Sequence, residues 1–233
     1  MSKTIEKDLK TIKSSFEGFL TDLNAISAII IVLKETRAKM EEGGKLTTEY
    51  IDESMTAETI RQSAIIAGKL DIITASVEDL KEAALNILNA SDIFEDARIT
   101  PAVAAVSVLK GAEGARASEN IARQFAGNFP VLNLLVASAG DALVKDAIRK
   151  HSIDAEGLET MTDNISDEIG KMTTFNASHD MTAVSTRIYK FSQLLSKDAN
   201  IFGIDLKIEN YKALTALMEA KHDEDVRAAF GLA

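Results

Sequence analysis

The sequence has no cysteine and no tryptophan, and its 233 residues include only 2 prolines and 12 glycines. Without cysteine there is no disulfide scaffold, thiolate nucleophile, cysteine zinc site or iron–sulfur cluster. The N-terminal segment has no apolar core of a secretory signal, and no uninterrupted apolar run approaches the ~18 residues of a membrane span. We therefore expect a cytoplasmic protein without a membrane span.

Few helix breakers are present, whereas alanine, leucine, isoleucine, glutamate and lysine are abundant and mostly favour helix. The chain is 46% hydrophobic, and its 26 basic and 36 acidic residues give a net charge of −10. A chain of this length and composition can bury a sizeable core. Every strong apolar period is close to 3.6 residues, which predicts an all-α fold, a multi-helix bundle of about 8–10 helices.

The strongest pattern is an N-terminal heptad repeat. It predicts one long helix from about residue 4 to 42, ended by the glycine pair at 43–44. The repeating positions are Ile5, Ile12, Phe19, Ile26, Leu33 and Met40, with Leu9, Phe16, Leu23 and Ile30 interleaved.

Shorter helices are predicted after the glycine pair. We expect residues 1–44 to form an association arm and residues 45–233 a helical body, with a lobe boundary near 90–100 if there are two lobes. The predicted segments are 48–54, a helix opening at Thr56, 77–88, a helix opening at Thr100–Pro101 and stopped by Gly111 and Gly114, one opening at Ser118, then 130–150, 155–161, 165–175, 179–196, 208–221 and 223–230.

The first predicted helix is longer than the expected diameter of the folded protein. At ~1.5 Å per residue it measures about 60 Å, whereas a compact chain of this length has a diameter of about 45 Å. Part of it is expected to project, and a projecting apolar stripe is an association site. The predicted oligomerisation residues are Leu9, Ile12, Phe16, Phe19 and Leu23.

Positive charge collects in the middle of this acidic chain. Residues 97–151 carry seven basic and four acidic side chains. Such a segment can contact the phosphates of single-stranded RNA, although the same charges can pair with acidic neighbours. The candidate contact residues are Arg98, Lys110, Arg116, Arg123, Lys145, Arg149 and Lys150.

No catalytic or metal-binding constellation is predicted. Glu219 and His222 are three residues apart, as in one limb of a di-iron bundle, but a second such pair is missing. The acidic groups lack the spacing of a calcium loop, and the glycines do not form a phosphate-binding loop. We therefore expect no enzyme activity, no cofactor and no resident metal.

The segment Glu119-Asn120-Ile121-Ala122-Arg123-Gln124-Phe125, with Phe129-Pro130 and the terminal Arg227–Leu232, resembles segments of the nucleocapsid proteins of segmented negative-strand RNA viruses. Those proteins are all-helical and polymerise through terminal arms, but they are usually basic. The resemblance implies an RNA-coating nucleoprotein found in virions.

Three functions are therefore open. The first is a non-enzymatic structural or assembly protein that self-associates through its N-terminal helix. The alternative is a viral nucleoprotein or coat protein whose 97–151 segment faces the RNA backbone. The second alternative is a helical bundle that binds an apolar ligand beneath Val131, Leu134, Leu135 and Leu143, since a ligand cavity and a core have the same composition.

Overall fold

A computed structural model of the chain describes residues 3–90, 96–173 and 181–229. Of these residues 84% lie in nine α-helices and none lies in a strand, which confirms the predicted all-α multi-helix bundle. The helices are α1 (Lys3–Glu42), α2 (Thr48–Leu88), α3 (Ile99–Val108), α4 (Gly111–Arg123), α5 (Phe129–Ser138), α6 (Ala142–Arg149), α7 (Ala155–Thr173), α8 (Met181–Ile201) and α9 (Lys212–Ala229). A 3-10 turn at Ile208–Asn210 precedes α9.

Helix α1 has the predicted extent. Its last turn closes through hydrogen bonds from the Gly43 N–H to the Lys39 carbonyl at 3.3 Å and from the Gly44 N–H to the Glu41 carbonyl at 3.2 Å. Gly44 has a φ of +59°, a conformation that glycine adopts without a steric penalty. The glycine pair therefore ends the helix, as the sequence indicates.

Helix α2 is continuous, so the predicted separate helices within 48–88 are wrong. The Thr56 and Ser76 hydroxyls resemble helix N-caps in sequence, but each donates to the carbonyl four residues earlier, Asp52 at 2.7 Å and Ile72 at 3.0 Å. This bond is compatible with a helix interior. The predicted helices 155–161 and 165–175 are likewise joined in α7, and the C-terminal pair is one helix, α9.

The predicted helix from 130 to 150 is divided into α5 and α6. Asp141 separates them because one carboxylate oxygen accepts hydrogen bonds from the Leu143 and Val144 N–H groups at 2.9 and 3.2 Å. The other accepts from the Gly111 N–H at 3.2 Å. These backbone hydrogen bonds, Gly111 first, hold the pKa of Asp141 below its usual range. One carboxylate thus caps the start of both α4 and α6.

Gly111 and Gly114 do not end a helix, contrary to the prediction. Helix α3 ends earlier, at Val108, and Gly111 begins α4 with a φ of +64°. Gly114 lies inside α4, where a Cβ would approach the backbone of Leu109 to 3.0 Å. The glycines therefore allow a tight connection between α3 and α4.

The chain forms two compact units. Unit 1 comprises Met1–Phe16, Val77–Asp163 and Ser196–Leu206, and unit 2 comprises Glu17–Ser76, Asn164–Leu195 and Lys207–Ala233. Residues 77–163 belong to unit 1, and the 1–44 segment contributes residues to both units. The association arm at 1–44 and the lobe boundary near 90–100, a range that includes residues 91–95 outside the described part, stay predictions.

Unit 1 is organised around α3 to α6, with α4 and α5 both packed on α6 and α3 packed on α5. Three aromatic rings join in its core. The Phe202 ring centroid lies 6.1 Å from that of Phe16 and 5.2 Å from that of Phe129. All three side chains are at most 2% exposed, so the first turns of α1 belong to this core.

Unit 2 is held together by contacts of α1 with α2 and α9. The Asn24 side-chain oxygen accepts hydrogen bonds from the Ala213 and Leu214 N–H groups, at 3.0 and 3.2 Å, and so caps the start of α9. Lys69 forms an ion pair with Asp22 at 2.9 Å. These polar contacts fix the register of the helices around the apolar core of the unit.

Candidate functional site

The predicted oligomerisation residues on α1 do not form a projecting stripe. Ile12, Phe16, Phe19 and Leu23 are fully buried within the single chain, and Leu9 is half-buried. The seam continues in the same way to Leu33, which is 1% exposed. In this conformation four of the five side chains are covered by the chain itself, and association through them stays a prediction.

The seven predicted RNA-contact residues all belong to unit 1. Arg98 pairs with Asp96 at 2.5 Å and lies 5.3 Å from the centre of the Phe125 ring. Arg149 pairs with Asp146 at 3.3 Å and lines a separate cleft. Lys110 directly precedes α4, Arg116 lies in α4 and Lys145 lies in α6. Arg123 and Lys150 line one cleft together.

That cleft, here called the cationic cleft, is an open depression of about 770 Å³ in unit 1. It adds two positions that the sequence analysis did not select, Lys197 and His151. Lys197 was missed because it is distant in sequence from the basic middle segment, which ends at His151. The cleft is lined by Arg123, Ala126, Lys150, His151, Lys197, Asn200, Ile201 and Gly203.

Three helix ends place these cations. Helix α4 ends at Arg123, α6 is followed directly by Lys150, and Lys197 lies in the last turns of α8. Helix C-termini carry partial negative charge, which lysine and arginine stabilise. Gly203, with a φ of +72°, brings the turn after α8 against Ala126, where a Cβ would lie 2.6 Å from the Ala126 Cβ. Only glycine fits this approach.

One acidic side chain reduces the positive charge of the cleft. Glu119 accepts a hydrogen bond from Arg123 at 2.7 Å, and this bond is the main reason that the pKa of Glu119 is lowered. Its Oε1 also lies 3.8 Å from the Nε2 of His151. Lys150, which also attracts Glu119, and Lys197 add further positive charge to the cleft, and Asn200 adds an amide.

Asp198 is a buried carboxyl next to this cleft in sequence. It is 5% exposed, and its Oδ2 has no hydrogen-bond partner among the described residues. Burial raises its pKa to about 6, and the nearby Lys197 opposes this effect only in part. Ionisation of Asp198 therefore costs folding free energy at neutral pH.

Helix α2 carries exposed apolar side chains outside its buried stripe. Ile65 is 47% and Ile72 is 55% exposed, and the exposed small residues Gly68 and Ala75 alternate with them. We call these four residues the α2 seam. Ile60 on the same helix is 57% exposed. The signal that could have found this seam is the 3-4-3 spacing of residues 65, 68, 72 and 75.

The four residues predicted to cover an apolar ligand differ in burial. Val131 and Leu135 are fully buried, Leu134 is half-buried and Leu143 is 54% exposed. An apolar cavity of about 260 Å³ lies instead in unit 2, between α1, α8 and α9. It is lined by Ile31, Lys34, Glu35, Ser185, Ala216, Leu217 and Ala220.

Among the residues that the structure describes, no group of three His, Asp or Glu side chains could hold a metal ion. The Glu219–His222 pair lies partly outside this set, because the side chain of His222 is not described.

Helix α1 is long and apolar enough to span a membrane. Within Ile5–Glu42 an 18-residue window reaches a mean hydropathy of 1.7 with at most two charged residues, although its apolar residues do not form an uninterrupted run. Of this window 44% is buried within the protein. A core helix meets the same criteria of length and composition, and the seam of α1 is buried.

Compared with protein-family models, with curated proteins and with solved structures, the chain matches none of them.

Proposed function

We propose that this protein is a non-enzymatic assembly protein that works by self-association, and that the α2 seam is the associating surface. The observation that supports the proposal is the exposure of Ile65 and Ile72 on one face of a continuous helix. Contiguous apolar surface costs free energy in water and is typical of protein–protein contact sites. The apolar seam of α1, the associating helix expected from the sequence, is buried within the chain.

The spacing of the seam supports pairing with another helix. Ile65, Gly68, Ile72 and Ala75 recur at alternating intervals of three and four residues, the spacing of coiled-coil contact positions. Gly68 and Ala75 are small enough for a second helix to approach closely. Exposed isoleucines at these positions gain about 25 cal/mol for each Å² of apolar surface that pairing removes from water.

Size-exclusion chromatography with light scattering tests this proposal over a wide concentration range. The 25.2 kDa chain is expected to form an oligomer that Ile65→Glu with Ile72→Glu dissociates without loss of helical circular dichroism. The matched control, Val108→Glu with Leu143→Glu, charges two other exposed apolar side chains and should leave the oligomer intact. A wild type that stays monomeric, or a control that dissociates it equally, contradicts the proposal.

A second candidate function is binding of single-stranded RNA, in which the cationic cleft contacts the phosphate backbone. The observation that favours it is the convergence of Arg123, Lys150 and Lys197 from three helices on one open cleft. Cations in such a groove release counterions from the nucleic acid on binding, so the affinity falls steeply with salt. The overall charge of −10 opposes association at long range.

Fluorescence titration of the nuclease-treated protein with labelled single-stranded RNA at low salt tests this candidate. Each of Arg123→Ala, Lys150→Ala and Lys197→Ala should flatten the log–log salt dependence by about 0.7. Arg149→Ala is the matched control because Arg149 lines a different cleft. Absence of binding at micromolar protein, or an equal effect of the control, removes this candidate. With 3 tyrosines and no tryptophan, the ratio of absorbance at 260 and 280 nm reports any RNA that copurifies.

A further inference from the structure

We infer that the apolar cavity of unit 2 binds an unbranched aliphatic carboxylate, with the chain inside the cavity and the carboxylate at Lys34. The inference goes beyond self-association and RNA binding, because neither the α2 seam nor the cationic cleft takes part in it. Its structural basis is an apolar space of about 260 Å³ that has a lysine among its lining residues.

The cavity lies between three helices that all contribute to unit 2. Helix α1 supplies Ile31, α8 supplies Ser185 and α9 supplies Leu217. Ser185 and Leu217 are at most 4% exposed, so the helices close the inner side of the cavity. Ala216 and Ala220, one turn apart on α9, are exposed. Their short side chains leave the outer side open.

The volume of the cavity fits a single chain of moderate length. An engineered apolar cavity of about 150 Å³ binds benzene, so in proportion 260 Å³ holds about ten non-hydrogen atoms. Drug-sized ligands occupy larger sites, of about 300 to 1,000 Å³. Each methylene that enters an apolar space strengthens binding about fourfold. Octanoate, with eight carbons and two oxygens, has the matching size.

The charges at the cavity favour an acidic head group. Lys34 is half-buried and forms no ion pair within the part of the chain that the structure describes. Glu35, the other charged lining residue, already has Lys39 at 3.9 Å. These three side chains together carry one net positive charge, which attracts an anion. A carboxylate bound at Lys34 would gain a charge-assisted hydrogen bond.

Isothermal titration calorimetry of the full chain at pH 7.5 tests the chain and the head group separately. Octanoate is expected to bind at one saturable site, and hexanoate, which lacks two methylenes, about 15-fold more weakly. The neutral 1-octanol fills the same space but has no carboxylate, so it should bind about tenfold more weakly than octanoate.

Substitutions at Lys34 test the contact with the carboxylate. Lys34→Gln should weaken octanoate about tenfold and leave 1-octanol unchanged, whereas Lys34→Arg keeps the charge and should retain octanoate. The matched control is Lys45→Gln, which removes the same charge at an exposed position that does not line the cavity. It should bind both compounds as the wild type does.

Larger side chains on α9 test the location. Ala216→Leu with Ala220→Leu occupies the outer side of the cavity and should abolish binding of both compounds. The control, Ala104→Leu with Ala142→Leu, adds the same apolar groups at exposed positions of α3 and α6 and should bind normally. Circular dichroism checks that each variant stays helical. If the filled variant unfolds, the substitutions at Lys34 still decide.

The outcomes either support the inference or overturn it. Saturable octanoate binding that Lys34→Gln weakens and the filled cavity abolishes supports it. Absence of octanoate binding at millimolar concentration overturns it. Equal binding of octanoate and 1-octanol, or equal effects of Lys34→Gln and Lys45→Gln, overturns recognition of the carboxylate. Unchanged binding in the helical filled variant, or an equal loss in its control, overturns the assignment to this cavity.

Discussion

Replacing Asp198 by asparagine should raise the free energy of unfolding more at neutral pH than near pH 4. Asparagine has almost the shape of aspartate but does not ionise, so it removes the cost of a buried negative charge. The carboxyl is 5% exposed, and burial raises its pKa from 3.8 to about 6. The variant therefore tests whether Asp198 is an uncompensated buried acid.

The magnitude follows from the two pKa values. One pKa unit corresponds to 1.36 kcal/mol, so a difference of about 2 between the folded and unfolded chain corresponds to about 3 kcal/mol. Because the folded pKa is raised, the folded protein binds more protons than the unfolded chain between about pH 4 and 6. Stability of the wild type is therefore lost as the pH rises through this window, and above it the cost of ionisation is complete.

Urea denaturation of both proteins at several values between pH 4 and 8 measures the effect. The difference in the free energy of unfolding, variant minus wild type, should rise by about 3 kcal/mol across the window. Any pH-independent cost of burying the asparagine amide cancels in this comparison. Asp163→Asn, at an exposed position, is the control and should show no such rise. A difference that is constant with pH refutes the reasoning.

Two further substitutions test the packing of unit 1. Phe16→Ala should lower the free energy of unfolding by about 3 to 5 kcal/mol, because its ring is fully buried next to Phe202; urea denaturation showing a loss below about 1 kcal/mol would contradict its place in the core. Gly203→Ala should lower the melting temperature more than Gly111→Ala does. Both glycines have positive φ, but an added Cβ meets Ala126 only at Gly203 and open space at Gly111, so equal losses would be inconsistent with the close approach.

Local patterns predicted the elements that depend on neighbouring residues. The limits of α1 follow from a continuous heptad repeat and a glycine pair, and the start of α3 follows from Pro101 in its first turn. The division of longer segments was predicted less well. Ser76 was interpreted as a helix cap, but its hydroxyl bonds to the Ile72 carbonyl inside α2. A serine hydroxyl can either cap the start of a helix or bond to a carbonyl inside one. The packing of α2 selects between these two arrangements.

The candidate sites depend on contacts between residues that are distant in sequence. A 4-3 apolar seam has the same form whether it faces its own chain or a partner, so the sequence alone could not tell that Phe16 and Phe19 are buried while Ile65 and Ile72 are exposed. The cationic cleft was found only in part for the same reason, because Lys197 joins Arg123 and Lys150 through the fold.

The sequence by itself determined that the chain is helical, where its first helix begins and ends, and that it has no cysteine chemistry. These properties arise from backbone propensity, periodicity and composition, which act over a few residues. The tertiary structure alone decided which apolar stripes became core and which stayed exposed, and which cations came together. Burial is a property of the whole assembly of helices, since a side chain leaves water only when other elements cover it.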